Sequence, residues 1–477
     1  MATAAQNKMK LDPGQYHFPP GFERNLLWFA FRRFRPANPI LLFQHLAETY
    51  GDIAHYKIAW NHILFLNHPD YIREILVVQN DNFIKERTVQ RTRMLLGEGM
   101  ITAEGAKHRA QRQVAQPAFH RQRIPQYADM IVREAVRMRD SWRDGERRDV
   151  ARDMMHLTLN IVAETLFATD LYENSGAEVR ELADAINRIM GLYNFLVLLP
   201  AAEWLVHVRP PGLAAFVRAR KRIDAVVYRM IAAHRERQLN EHKSDQPSLL
   251  DMMLAASPDR SAESEQALRD QVITIFLAGY ETVANALAWT WYLLSQNPDC
   301  ERRFHEEIDR ELAGRLPTYE DVPRLKYLEK VMAESMRLYP PAWAMGRYAR
   351  NDFRLGEYVL PAKTTVLMSQ FITHRDPRFF PDPLRFDPER FSPENISRRQ
   401  KFSYFPFGAG SRQCIGESFA WMEGVLVLAT LGQKWKFSLV PGHRVEPELI
   451  TLRPKYGMQM SLHARSIDSG MPLSSET

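Results

Sequence analysis

Cysteine is almost missing from this chain of 477 residues: only Cys300 and Cys414 occur. Two thiols so far apart in sequence cannot build a disulfide framework or a paired-cysteine zinc motif. A reducing, intracellular compartment is therefore expected, and a lone cysteine is left free for chemistry. Glycine and proline are modest, at 22 and 29, which excludes collagen-like and low-complexity chains. A strong excess of one charge is missing too. The 63 Lys and Arg against 57 Asp and Glu leave +6, too mild to argue for nucleic acid and better suited to a local basic patch meeting an acidic partner. The start, Met1 to Lys8, has no apolar core of a signal peptide. The apolar run Leu26–Phe31, followed by Arg32, Arg33 and Arg35, is far short of the ~20 residues that span a bilayer. It is expected to pack on the globule, and no transmembrane anchor is expected.

What is present is the make-up of a globular protein: 45% hydrophobic, 25% charged and 11% aromatic residues, enough apolar surface for a large core. Val272–Leu294 is nearly all apolar, but Glu281 sits near its middle with Thr282 and Asn285 close by. A carboxylate at a bilayer centre is costly, so this stretch reads as the buried central helix of a large fold. Helical periodicity also marks Tyr127–Trp142, Asp153–Ala168, Ala177–Tyr193, Leu213–Leu239, Asp299–Leu312 and Leu325–Leu338, with the central helix itself at Ser264–Ser295. Strand signals are short: Ile53–Lys57 and Ile63–Leu66, with Tyr358–Leu360 and Thr365–Met368 expected to continue the same sheet. The pattern predicts one mainly α domain with a small β-rich lobe (α+β) over residues 21–465. A loose arm over 1–20 and a loose tail over 466–477 flank it.

The sharpest segment is Tyr404–Gly416, which reads YFPFGAGSRQCIG. Glycines let backbone turn tightly and approach a flat ligand. Cys414 then precedes an apolar helical stretch, Phe419–Leu431, and a cysteine at a helix start has its thiolate favoured by the dipole and free N–H groups. A small buried free cysteine is the bland alternative. A dinucleotide-binding loop is a poor rival, since no glycine follows Gly408 and Gly410 until Gly416 and no βα unit surrounds them.

Phe407-x-x-Gly410-x-x-x-Cys414-x-Gly416, extended by Ala420 and Glu423, resembles the haem-binding signature of the cytochrome P-450 superfamily. That resemblance implies a fold with a long central helix over haem b and the activity of a haem-thiolate monooxygenase. Such an enzyme inserts one atom of O2, its co-substrate, into a C–H bond of a lipophilic molecule. Cys414 would be the metal ligand, pushing electron density towards iron, with Phe407 and Gly408 beside it and Arg412 reaching a haem propionate. In Ala278-Gly279-Tyr280-Glu281-Thr282 the small residues would let the cofactor face approach, while Glu281 and Thr282 would be the acid–alcohol pair that delivers protons. Glu334-x-x-Arg337 would join Arg390 in a buried structural network. The same spacing at Glu134–Arg137 and Glu307–Arg310 reads as solvated surface pairs. His108 and Arg112 resemble a propionate-binding pair, and Arg347 resembles the propionate arginine, with Arg350 competing for that role.

Only 477 − 414 = 63 residues follow Cys414, so no fused reductase, bound flavin or nicotinamide is expected. Electrons would come from a separate ferredoxin or flavodoxin and its reductase, attracted by Lys107, Arg109, Arg121 and Arg123. The apolar segment Leu192–Pro200 suggests a greasy access channel, and Met94, Met100, Phe195, Phe276, Trp343, Ala344 and Ile450 are candidate pocket residues. The sequence looks closer to fatty-acid-hydroxylating members than to terpene-type bacterial ones, although no arginine stands out to anchor a carboxylate. Fatty acid, steroid and terpenoid substrates all fit. A monomer in a bacterial cytoplasm is expected. The rival activities are a peroxide-driven peroxygenase, disfavoured by Glu281 and Thr282, and a non-catalytic haem sensor, for which no output domain is visible.

Overall fold

A computed structural model describes residues 15–22, 38–167, 211–240 and 248–465, apart from Pro258, Arg260 and Ile450. The expected helix at 177–193, the apolar run at 26–31, the access segment at 192–200 with Phe195, and the tail at 466–477 lie outside the described residues. Six helices stand within three residues of the limits set by periodicity: Ala128–Ser141, Val150–Phe167, Pro211–Asn240, Ala262–Gln296, Pro298–Leu312 and Lys326–Leu338. A seventh, Glu417–Gly432, follows Cys414.

The central helix Ala262–Gln296 begins where Ser261 accepts a hydrogen bond from the Ser264 N–H, with Glu263 and Glu265 in the first turn. Both features satisfy the orphan N–H groups and the positive end of the dipole. The helix stops at Asn297 before Pro298. It is the one helix among the described residues long and apolar enough to cross a membrane, and 83% of that stretch is buried inside the fold. It packs closely on Val150–Phe167: a Cβ on Gly279 would stand 3.0 Å from Val162 Cγ2, and the Thr158 hydroxyl donates to Tyr280 O at 2.9 Å. Close helix–helix contact is thus one reason for a glycine in the middle of this helix. Trp289 and Trp291 complete the buried side, each large aromatic contributing about 1.5–3 kcal/mol by burial.

The β-rich lobe is a five-stranded sheet in the order β1 (Ile53–Ile58), β2 (Asn61–Leu66), β8 (Thr365–Met368), β5 (Met345–Ala349), β3 (Phe83–Lys85). Thr365–Met368 joins it as expected, parallel to β2. Tyr358–Leu360 does not. That strand, β7, forms a separate hairpin with β6 (Phe353–Leu355), because a two-residue turn hands it a nearer partner. Strands β4 (Arg147–Asp149), β9 (Trp435–Leu439) and β12 (Gln459–Ala464) make a third sheet, and β10 (Pro447–Leu449) pairs β11 (Leu452–Pro454). Within the arm expected to be loose, residues 15–20 are tied down. His17 exchanges backbone hydrogen bonds with Val359 at 3.0 and 2.9 Å, and Phe18 stacks on His55 and His62 with centroids 4.6 and 4.7 Å away.

Candidate functional site

The cysteine loop is shaped by its glycines. Gly408 and Gly410 both take positive φ, +72° and +69°, and a Cβ on Gly410 would lie 2.0 Å from Leu76 O. Only glycine fits such a close backbone approach. Within the loop, Gly408 N–H donates to Phe405 O and Cys414 N–H to Phe407 O, both at 3.0 Å, while the Phe407 ring lies 6.0 Å from Trp421.

Beneath the loop stands the expected network. Arg337 and Glu334 are fully buried and bidentate, at 2.6 and 2.8 Å. Arg390 Nε lies 3.4 Å from Glu334 Oε1, and the Asp387 N–H donates to that oxygen at 2.9 Å. Arg337 also donates to the carbonyls of His374, Pro383 and Arg385. His374, which sequence reading passed over, accepts from the Phe405 N–H at 3.0 Å. A fully buried imidazole kept neutral by burial can do so. The chain Glu334–Arg337–His374–Phe405 thus carries the rigidity of an ion pair into the cysteine loop.

The two other pairs of the same spacing are not solvated as expected, because both carboxylates are buried. Glu134 is 2% exposed and pairs with half-exposed Arg137. Glu307 accepts from the N–H groups of Tyr327 and Leu328, each at 2.8 Å. It thereby caps the very helix that carries Glu334.

Cys414 and Lys85 share a peculiarity. Each keeps accessible surface, yet burial is the largest influence on its protonation. Burial raises the Cys414 thiol above its usual value, against the lowering effects of the Gly416 backbone N–H, Arg112 and Lys85. The helix start alone does not favour the thiolate as expected from sequence; a coordinated cation would.

Around Lys85 gathers a knot of cations. Lys85 and Arg347 are cross-strand partners in β3 and β5, and burial, then Arg347 and Arg412, lower Lys85 to about 7. Arg347 is 6% exposed, and burial with the Arg412 charge brings it to about 10. His108 is buried and held neutral, lowered to about 4 by burial and then by Arg412, Arg112 and Lys85. Arg412 pairs with Glu104 and donates to Ala103 O at 2.8 Å, while Arg112 donates to Gln413 O at 2.8 Å. Arg350 stands exposed at the end of the strand. Glu86 and Glu104 act on Lys85 and Arg347, while Arg412, Arg112, Arg109 and Arg350 add positive charge to the same corner. Cations outnumber carboxylates there, which suits a ligand that carries carboxylates of its own, as haem does in its propionates. Sequence reading missed Lys85 because a lysine in a three-residue strand carries no signal.

The central helix has one opening. Among buried neighbours, Ala278 is exposed and Gly279 and Thr282 are half-buried; Ala278 and Thr282 lie four residues apart on one face. The Thr282 hydroxyl donates to Ala278 O at 2.9 Å. Glu281 points elsewhere: it is buried, and accepts from the Thr451 hydroxyl at 2.5 Å. Burial raises it above the usual carboxylate value, outweighing the Thr451 hydrogen bond and the Arg453 charge.

Of the pocket candidates, Phe276 is overturned. It is fully buried among Phe167 and Tyr280 and lines no open space. Trp343 ties the C-terminal hairpin, its indole N–H donating to Leu449 O at 3.0 Å, and Ala344 packs on the lobe core beside it. Met94 and Met100 pack against the main core. Phe195 and Ile450 are outside the described residues.

The family model for cytochrome P450 matches residues 19–462. The chain belongs to the cytochrome P450 family. This P450 is a haem-thiolate monooxygenase with O2 as co-substrate. It is similar to cyclooctatin synthase of Streptomyces melanosporofaciens, 35% identical over 90% of each chain. It is also similar to cyclooctat-9-en-7-ol 5-monooxygenase of the same organism, 34% identical over 84% of this chain and 86% of that one. Pentalenene oxygenase of Streptomyces avermitilis is 30% identical over 89% of this chain and 93% of that one. These relatives are bacterial terpene oxidisers, which overturns the expected likeness to the fatty-acid-hydroxylating branch.

Proposed function

We propose that this P450 hydroxylates a terpenoid, with Cys414 as the iron ligand and the propionates held by Lys85, Arg112, Arg347 and Arg412. The observation that carries the placement is the cluster of buried Arg347 with half-buried Lys85, Arg112 and Arg412, the last two standing at the loop of Cys414. Arg347, buried inside this group, suits the propionate role better than exposed Arg350. When bound, haem supplies the dioxygen activation that C–H oxygenation requires.

The chain's own residues do the rest. The His374-anchored loop holds the sulfur in place and Phe407 shields it. Ala278 and Thr282 form the open face of the central helix, where a substrate meets little steric resistance and the Thr282 hydroxyl can turn from Ala278 O to the reacting oxygen. Glu281, whose proton affinity burial raises, is the group that hands on the proton. The terpenoid reading draws on the names of the relatives. Electrons come from a separate ferredoxin or flavodoxin. Arg109 and Arg121 are exposed and available to it, whereas Lys107 is paired with Glu98 and Arg123 is half-buried.

A spectral-shift titration of the haem-loaded protein with terpenoids, steroids and fatty acids tests the reading. A terpenoid should shift the haem absorption band, and fatty acids should not. A shift with fatty acids alone overturns the substrate class. Retention of the thiolate-type carbon monoxide band by Cys414→Ala overturns the ligand.

A further inference from the structure

The C-terminal hairpin β10–β11 reaches the acid of the central helix through one hydroxyl. The Asn285 side-chain amide donates to Thr451 Oγ1 at 3.2 Å, and Thr451 in turn donates to Glu281 Oε1 at 2.5 Å. As the two bonds run, Thr451 accepts at its oxygen from the Asn285 amide and gives its single proton to Glu281 Oε1. With Oε1 occupied as an acceptor, a proton carried by the carboxyl sits on Oε2.

Thr451 cannot easily drift from this position, because both strands beside it are pinned. The Trp343 indole donates to Leu449 O at 3.0 Å, the Trp289 indole donates to Leu452 O at 2.7 Å, and the Leu452 N–H donates to Pro341 O at 2.9 Å. The charged groups that act on Glu281 are Arg453 and Glu448. They are bonded to each other at 2.7 Å, so their fields largely cancel.

We infer that Thr451 is a positioning residue for proton delivery: it fixes Glu281 Oε1 as an acceptor and thereby leaves Oε2 to carry the transferable proton. This rests on the monooxygenase reading with Glu281 as proton donor. Each turnover takes two electrons from the reductase chain and two protons, and one oxygen atom leaves as water. Glu281 passes its Oε2 proton on and regains one from water. With Thr451 absent, the carboxyl turns freely and the proton is presented less often, so reduced oxygen escapes as hydrogen peroxide.

The test uses the haem-loaded full chain with a surrogate ferredoxin and reductase, comparing wild type, Thr451→Val and Thr451→Ser. Thr451→Val keeps the shape and removes the hydroxyl. Product per reductant consumed should fall about fivefold, the size expected for one lost hydrogen bond. Thr451→Ser should restore it. Turnover driven by added hydrogen peroxide, which brings its own protons and electrons, should stay unchanged. In infrared spectra the carboxylic C=O band that disappears in Glu281→Gln should move to higher frequency in Thr451→Val, because its hydrogen bond is gone. Equal loss in the reductase-driven and peroxide-driven reactions, full coupling in Thr451→Val, or failure of Thr451→Ser to restore it overturns the inference. If no terpenoid is oxidised by the wild type, the substrate reading has failed. The infrared band needs no substrate and decides the role of Thr451 on its own, an unmoved band overturning it.

Discussion

Glu334→Gln should be among the most damaging isosteric changes in this protein, and its cost can be worked from the contacts. Glu334 Oε2 accepts from Arg337 Nε at 2.6 Å; Oε1 accepts from Arg337 Nη2 at 2.8 Å and the Asp387 N–H at 2.9 Å, with Arg390 Nε at 3.4 Å. An amide keeps one acceptor and turns a donor towards another donor. It also leaves two guanidinium groups without their counter-charge where Glu334 and Arg337 have no solvent exposure. Breaking a buried pair in this way costs about 3–5 kcal/mol, a large part of a typical total stability of about 5–15 kcal/mol. Urea unfolding followed by tryptophan fluorescence is a suitable assay, because Trp289, Trp291 and Trp435 are all at or below 1% exposed. Arg302→Gln is the control. It removes an ion pair to Glu306 whose side chains are 59% and 55% exposed, and should cost no more than about 1 kcal/mol. Haem loss should also quicken in Glu334→Gln, since Arg337 holds the His374 carbonyl and His374 holds the Phe405 N–H. If the loss of stability matches the exposed control, the network does not carry the load assigned to it.

Two further outcomes are expected. Glu423 is fully buried, with neither carboxyl oxygen hydrogen-bonded among the described residues, and burial raises it well above 4.5. The native state therefore keeps this proton to higher pH than the unfolded chain does, so its stability contribution is full below about pH 4.5 and is lost as pH climbs towards the native value. Glu423→Gln should flatten that decline in urea midpoints measured across a pH series; an unchanged slope would refute the assignment. Gly410→Ala meets both a positive φ of +69° and Leu76 O only 2.0 Å from the new Cβ. Purified protein should carry several-fold less haem by absorbance ratio, and full occupancy would show that the loop can move aside.

The sequence made the long helices legible because each buries a stripe at helical spacing, and the cysteine signature because its glycines and its thiol leave few other readings. What it hid was decided by contacts between distant segments. Lys85 becomes notable only when β3 lies against β5. Thr451 matters only because the hairpin folds onto Glu281, and His374 carries no signal until its ring meets the Phe405 N–H. Gly279 has a reason the sequence could not show, since Val162 lies on a neighbouring helix. Glu134 and Glu307 show the same limit, since identical spacing says nothing about which carboxylate will be sealed from water.

The knot of cations has a consequence for how the protein is assembled. Its members come from four stretches of chain that meet only in the folded state: Lys85, Arg112, Arg347 and Arg412. With cations outnumbering carboxylates, that corner repels itself until an anionic partner arrives. The cofactor is then a counter-ion as well as a catalyst, and the corner acts as a filter at loading. A macrocycle whose carboxylates are esterified would match the shape yet leave the repulsion in place, so selection of the right porphyrin rests on charge before any chemistry at iron begins.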